Sequence, residues 1–282
     1  MSLGDTLTRL TLVLERARLE TPRLDARILI AAAVNKEPQD ILLHEELELS
    51  PEQSRRLDML ITRRCAGEPI SRILGEREFW GLRFRLSPNT LDPRPDSETL
   101  ISTILSITKD DKVKPRQILD VGTGTGCLLL SLLNEWPNSN GIGLDIDFGA
   151  VRTACFNAEQ LGMRDRSQFL VGDWLSSLEC RFDVIVANPP YISTTIINEL
   201  APEVRFHDPK KALDGGFDGL VAYRQLIPQC SKYLASNGLL VLEVGATQGK
   251  QVVELLFAAG LVRIRAHNDL AGHVRCITCY AR

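Results

Sequence analysis

The chain lacks any uninterrupted apolar run near the ~18 residues needed to cross a bilayer, so no membrane-spanning helix is expected. Its first residues carry Asp5 and no apolar core of the signal-peptide kind, so no secretion is expected. It has no cationic excess: a formal net charge of −3 offers no general electrostatic footprint for duplex nucleic acid. Its seven cysteines are scattered and odd in number, which argues against a disulfide framework and fits a reducing compartment. Internal repeats and low-complexity segments are missing too. What remains is an ordinary globular composition, 44% hydrophobic and 24% charged. Its 282 residues suffice for one large domain or two ordinary ones. The expectation is a cytoplasmic protein.

Two parts differ in character. Residues 1–75 read as helical: Leu3, Leu7, Leu10 and Leu14 recur at three- and four-residue steps and line one helix face. Thr21-Pro22 starts a second helix, running from Arg23 to Val34, with proline tolerated in its first turn. Ser50-Pro51-Glu52-Gln53 opens another, with Gln53 placed for a capping box. Residues 76–95 hold a hairpin and a linker. From Glu78 to Ser87 apolar residues alternate, and Pro88, Pro93 and Pro95 then punctuate the chain. Over 96–282 strands alternate with helices. The strands are predicted at Gln117–Val121, Gly141–Asp145, Gln168–Val171, Phe182–Ala187, Gly238–Val244, Leu261–Arg265 and Val274–Tyr280. Buried strands separated by helices mean an α/β fold with a doubly wound, mostly parallel, seven-stranded Rossmann-like sheet. The direction of the last strand stays open.

The first predicted strand of this sheet ends in Asp120-Val121 and runs through Gly122-Thr123-Gly124-Thr125-Gly126 into a helix, Cys127–Glu135. Glycines there let the backbone turn sharply and approach a ligand, and the helix start presents free N–H groups. The next strand ends at Asp145, where a carboxylate accepts hydrogen bonds from ribose hydroxyls. A third ends at Gly172-Asp173-Trp174, a carboxylate for an adenine amino group and an indole to stack on its ring. A dinucleotide site is the alternative. Spacing of the form Gly-x-Gly-x-Gly, with Asp120 in front, favours S-adenosylmethionine over NAD, and the absence of Gly-Lys-Ser/Thr excludes a P-loop.

Asn188-Pro189-Pro190-Tyr191 caps the predicted strand Phe182–Ala187, 66 residues after Gly122. In a doubly wound sheet that end of the strands is where ligands bind. An amide nitrogen is a poor nucleophile because its lone pair is delocalised, so it must be held in line and pulled out of conjugation. The Asn188 side-chain oxygen and the Pro189 carbonyl can each accept one N–H. The prolines lock the carbonyl direction, and Tyr191 offers a stacking face for a planar group. The alternative is a plain Pro-Pro strand terminator. In company with the glycine loop, the motif points to methyl transfer onto an sp² nitrogen.

These residues resemble the bacterial release-factor glutamine methyltransferases, the PrmC/HemK family. The resemblance runs through Arg64-Cys65-Ala66-Gly67-Glu68-Pro69-Ile70, Glu78-Phe79-Trp80-Gly81-Leu82 and Pro93-Arg94-Pro95-Asp96-Ser97-Glu98. It continues in Ala212-Leu213-Asp214-Gly215-Gly216-Phe217-Asp218-Gly219-Leu220 and Asp269-Leu270-Ala271-Gly272. Asp92 and Ile73 depart from its pattern. The resemblance implies transfer from S-adenosylmethionine to the side-chain amide nitrogen of the glutamine in the Gly-Gly-Gln tip of class I peptide-chain release factors. It implies a helical N-terminal domain (1–75) that helps hold that protein, beside a catalytic domain (96–282). By position, Asp120, Gly122 to Gly126, Asp145, Asp173, Trp174 and Asn188 would contact the cofactor. Asn188, Pro189, Pro190, Tyr191 and Arg94 would meet the glutamine, with Asn188, Pro189 and Tyr191 the catalytic set. A monomer without metal, membrane or direct nucleic-acid partner is expected. The rivals are a glutamine of a ribosomal protein, or an amino group of DNA or RNA; the latter would call for a larger basic recognition domain.

Other features keep two readings each. Between Arg55 and Arg94 arginines outnumber acids nine to five, either a docking face for an acidic partner or a solvated surface. The run from His273 to Cys279 could suggest metal but alternates like a terminal strand. Glu243 either lines the pocket or is structural, and Arg94 either meets substrate or pins the linker by a salt bridge.

Overall fold

The computed structural model describes residues 2–110, 114–175 and 178–282, which form two compact units. The first comprises Met1–Gly75 together with Pro202–His207, the second Glu76–Ala201 and Asp208–Arg282.

The first unit holds α1 (Leu3–Arg16), α2 (Pro22–Val34), α3 (Pro38–Leu43), α4 (Pro51–Cys65) and α5 (Ile70–Leu74), with α9 (Pro202–Arg205) from the later segment. Leu3, Leu7, Leu10 and Leu14 are each at most 4% exposed and pack on Ala26, Leu29, Ile30 and Ile61. Burial of each such side chain contributes about 2 kcal/mol. At the start of α4 the predicted capping box is present: the Gln53 N–H donates to Ser50 Oγ at 3.2 Å, and the Ser50 N–H donates to Gln53 Oε1 at 2.8 Å. Short α3 and α5 escape the sequence pattern because fewer than two turns carry too little periodicity. Arg64 is buried, its guanidinium bonded to Asp25 and Glu203, both at 2.7 Å.

The second unit opens with a hairpin, β1 (Glu76–Phe79) and β2 (Leu82–Arg85). Trp80 and Gly81 form the two-residue turn, both at positive φ (53° and 72°), as the twist of a tight hairpin demands. Phe79 and Phe84 join the core on one face of a seven-stranded sheet.

That sheet contains β3 (Gln117–Val121), β4 (Asn140–Asp145), β5 (Ser167–Val171), β6 (Phe182–Ala187), β7 (Leu234–Glu243), β8 (Val262–Asn268) and β9 (Val274–Tyr280). All seven predicted strands are present, in the order β5-β4-β3-β6-β7-β9-β8. The first five run parallel, and β9 lies antiparallel between β7 and β8. One face is covered by α6 (Glu98–Ile107), α7 (Cys127–Glu135) and α8 (Phe148–Gln160). The other carries α11 (Val221–Tyr233) and α12 (Gly249–Ala258), and α10 (Lys210–Leu213) is a single turn before them. Each face thus buries its own apolar layer, which is why the central strands are apolar on both sides. From β3 the chain winds first to β4 and later, on the other side, to β6. This places the topological switch point at the C-terminal ends of β3 and β6. Among the described residues, no helix is long and apolar enough to cross a membrane.

Candidate active site

Val121 and Ala187 are register partners on adjacent parallel strands, so Gly122 and Asn188 leave the sheet side by side. The glycine loop and the Asn-Pro-Pro-Tyr segment meet at the switch point. A cavity of about 940 Å³ opens there, a size suited to a small molecule.

The loop is built on backbone bonds. The N–H groups of Gly122 and Thr123 both donate to the Leu144 carbonyl at 2.8 Å, which ties the end of β3 to the end of β4. Gly124 and Gly126 sit at φ of +55° and +82°, which L side chains rarely adopt. A Cβ on Gly126 would also press on Leu130, Ala154 and Phe169 at 3.1–3.4 Å. Asp145 accepts the Gly124 N–H and the Asp147 N–H, both at 2.9 Å, and faces the cavity with its remaining lone pairs. Burial raises its carboxyl above the usual range, against the pull of those backbone N–H groups. Asn157 braces the loop from behind, its Nδ2 donating to the Thr125 carbonyl at 2.8 Å while its Oδ1 accepts the Arg85 N–H.

Of the residues predicted for the cofactor, Gly122, Thr123, Gly124, Thr125, Asp145, Asp173, Trp174 and Asn188 line the cavity. Trp174 is held by Nε1 donating to Gln225 Oε1 at 2.9 Å. Asp120 corrects the expectation. It is fully buried beneath the loop, where the Thr123 hydroxyl donates to it at 2.7 Å. Burial pushes its carboxyl up to about 7, partly offset by that hydroxyl. Asp120 supports the loop instead of facing the cavity. Gly126, likewise buried, opens the helix behind the wall.

On the clamp side Asn188, Pro189, Pro190 and Arg94 line the cavity. Tyr191 lies behind it, packed on the core under β7, with its hydroxyl donating to Glu243 Oε1 at 3.3 Å. The stacking face expected of Tyr191 is therefore not among the cavity's walls. Arg94 lines the cavity and forms the salt bridge considered for it, to Asp208 at 2.5 Å. The Asp-Gly-Gly segment has a steric reason. A Cβ on Gly215 would stand 2.7 Å from the Pro190 carbonyl oxygen, and one on Gly219 2.4 Å from that of Tyr191. Backbone bonds from Ile192 to Leu213 and from Gly215 to Ile192 hold the two segments together. Gln248 adds a brace, its Nε2 donating to the Tyr191 and Gly219 carbonyls at 2.8 and 3.1 Å.

Three contributors escaped the motif-based reading. Lys210 and Lys211 line the cavity from a single helical turn that carries no pattern. Ser97 lines it too, and its hydroxyl connects Asn188 to Glu243. Within the basic stretch, Arg63, Arg64, Arg77, Arg83 and Arg94 each have a carboxylate within 4.0 Å. The run from His273 to Cys279 contributes an interior strand, with Cys276 and Cys279 buried in the core.

A glycine loop after the first strand of the parallel sheet, a carboxylate closing the second and an aromatic residue beyond the third supply the groups a nucleoside needs. With the strand order, they define a Rossmann-like S-adenosylmethionine-dependent methyltransferase, and S-adenosylmethionine is its methyl donor. The family described as PrmC N-terminal domain matches residues 5–75, and that described as methyltransferase small domain matches residues 94–229. The release factor glutamine methyltransferase of Bradyrhizobium diazoefficiens is 46% identical over 268 residues, covering 94% of this chain and 90% of that protein. That of Rhodospirillum rubrum is 44% identical over 280 residues, covering 99% and 85%. The chain belongs to the release factor glutamine methyltransferase family. Among solved structures, the hMettl16 catalytic domain in complex with MAT2A 3′UTR hairpin 6 shares the fold. Its TM-score is 0.58 at 17% identity, over 89% of this chain and 91% of that one.

Proposed function

We propose that this enzyme methylates the side-chain amide nitrogen (N5) of the glutamine in the Gly-Gly-Gln motif of class I peptide-chain release factors. The observation that carries the proposal is the adjacency of Asn188 to the glycine loop within one cavity. S-adenosylmethionine, when bound, supplies an electrophilic methyl group on a sulfonium sulfur. Gly122 to Thr125 would give it backbone to lie against, Asp145 would take the ribose hydroxyls, and Asp173 and Trp174 would hold the adenine. Asn188 Oδ1 and the Pro189 carbonyl each accept one N–H of the glutamine amide, which draws density onto nitrogen and aims its lone pair. Pro190 fixes that carbonyl's direction, Tyr191 anchors the clamp from behind, and Arg94 borders the entering peptide. Such positioning supplies ~7 kcal/mol or more of the barrier reduction without a dedicated base. The extra proton leaves nitrogen after transfer.

In this reading residues 1–75 hold the release factor, 76–95 form the hairpin and linker, and 96–282 carry the chemistry. The enzyme works as a cytoplasmic monomer in translation termination, with no direct contact to nucleic acid. The test offers tritiated S-adenosylmethionine with a class I release factor, the same factor with its Gly-Gly-Gln glutamine replaced, ribosomes, and duplex DNA. Label on the intact factor alone is expected. Label on ribosomes or DNA, or on the substituted factor, overturns the substrate.

A further inference from the structure

Glu243 ends β7 and is 1% exposed, one of the few carboxylates in the interior of the second unit. Two hydroxyls converge on it. Ser97 Oγ donates to its Oε2 at 2.6 Å, and the Tyr191 hydroxyl to its Oε1 at 3.3 Å. Ser97 immediately precedes α6 and Tyr191 ends the Asn-Pro-Pro-Tyr segment, so one carboxylate gathers two distant parts of the chain. Ser97 Oγ also accepts from Asn188 Nδ2 at 3.2 Å.

The polarity of this chain is forced by hydrogen counting. An ionised carboxylate only accepts, and a serine hydroxyl has a single proton. Once Ser97 gives that proton to Glu243, its oxygen has only lone pairs left for Asn188. Asn188 must therefore turn its NH₂ toward Ser97 and its Oδ1 away. An amide in the opposite sense would point two donors at the incoming glutamine NH₂, and donor would face donor.

We infer that Glu243, acting through Ser97, is a positioning residue that sets which end of the Asn188 amide meets the substrate nitrogen. This rests on the proposed role of Asn188 as the amide clamp. Burial pushes the Glu243 carboxyl up to about 7, while Ser97, the Arg275 charge and Tyr191 pull it down and Asp96 pushes it up. Tyr223 also faces it, donating its hydroxyl to the Glu243 backbone carbonyl at 2.8 Å. The ionised form, on which the polarity depends, thus prevails above neutral pH.

The isosteric change Glu243→Gln introduces an NH₂ that can donate to Ser97, freeing the serine proton for Asn188 Oδ1 and reversing the amide. The experiment compares wild type, E243Q, S97A, S97T and N188A at pH 8 with purified release factor. E243Q and S97A should lose roughly tenfold or more in kcat, with KM for the factor and calorimetric Kd for S-adenosylmethionine changed by less than about twofold. S97T keeps the hydroxyl and should recover most of the rate. An E243Q enzyme that turns over within about twofold of wild type overturns the inference, as does an S97T enzyme as slow as S97A. If E243Q does not fold, the two Ser97 variants decide. N188A separates the two claims: if it still transfers methyl groups, the clamp itself is wrong. If it is inactive while E243Q and S97A are not, only the positioning role falls.

Discussion

Val121 and Ala187 stand opposite each other on adjacent parallel strands, each the last residue of its strand. Residues that follow them, Gly122 and Asn188, begin the glycine loop and the Asn-Pro-Pro-Tyr segment that meet at the cavity. Sheet register alone converts a separation of 66 residues into neighbourhood.

Replacing Asp145 by alanine removes a cavity-facing carboxylate and the acceptor of the Gly124 and Asp147 N–H groups. Hydrogen bonds to a charged group contribute about 1.5–3 kcal/mol, so calorimetry should show S-adenosylmethionine binding weakened by roughly ten- to a hundredfold. An unchanged Kd would remove Asp145 from the binding set.

Gly219→Ala meets two obstacles, a φ of +75° and a Cβ 2.4 Å from the Tyr191 carbonyl oxygen. The clash adds to the backbone strain, for a combined cost of about 3 kcal/mol or more, and the shifted clamp should lower kcat. Gly260→Ala is the control: φ is +80° but no atom lies within 4 Å, so about 1–2 kcal/mol is expected. Urea unfolding of both variants checks the difference, and equal losses would mean that contact with the clamp is unimportant.

Asp120 and Glu243 both have folded-state carboxyls raised to about 7, from ordinary values of 3.8 and 4.5. Between pH 5 and 7 the folded protein therefore holds protons that the unfolded chain has released. Stability should fall as pH rises through that window, by up to about 1.4 kcal/mol per pH unit for each group. Asp120→Asn should flatten the curve of urea-unfolding free energy against pH in the absence of cofactor. A curve with the wild-type slope would contradict the raised value.

Arg64→Met leaves Asp25, 3% exposed, without its guanidinium partner. Breaking one side of a buried ion pair costs about 3–5 kcal/mol. Converting Asp25 to leucine as well should recover much of that loss, seen as strong coupling in a double-mutant cycle. Additive losses would show that the two side chains do not depend on each other.

Much of this was legible in the chain because the informative signals are local. Seven apolar runs announced the strands, and Gly122 to Gly126 and Asn188 to Tyr191 announced the ends of two of them. Where the signal depends on contacts far along the chain, it could not be read. Glu243 read more as a structural acid than as a pocket wall, and its partners Ser97 and Tyr191, 146 and 52 residues away, could not be read from the chain. Asp120 belongs to a motif often read as a cofactor contact, yet its side chain falls on the buried side of the strand end. The Asp-Gly-Gly segment was recognisable by resemblance, but its purpose appears only where Pro190 and Tyr191 approach it.

The chain leaves the second unit at Ala201, contributes Pro202–His207 to the first, and returns at Asp208. Neither unit is therefore encoded by one uninterrupted stretch. A truncation that removed residues 1–75 would strip Glu203 of Arg64 and leave α9 and Phe206, already 68% exposed, without the helices of their unit. Moving the first unit into another protein would require transferring two separate stretches of the gene together, Met1–Gly75 and Pro202–His207.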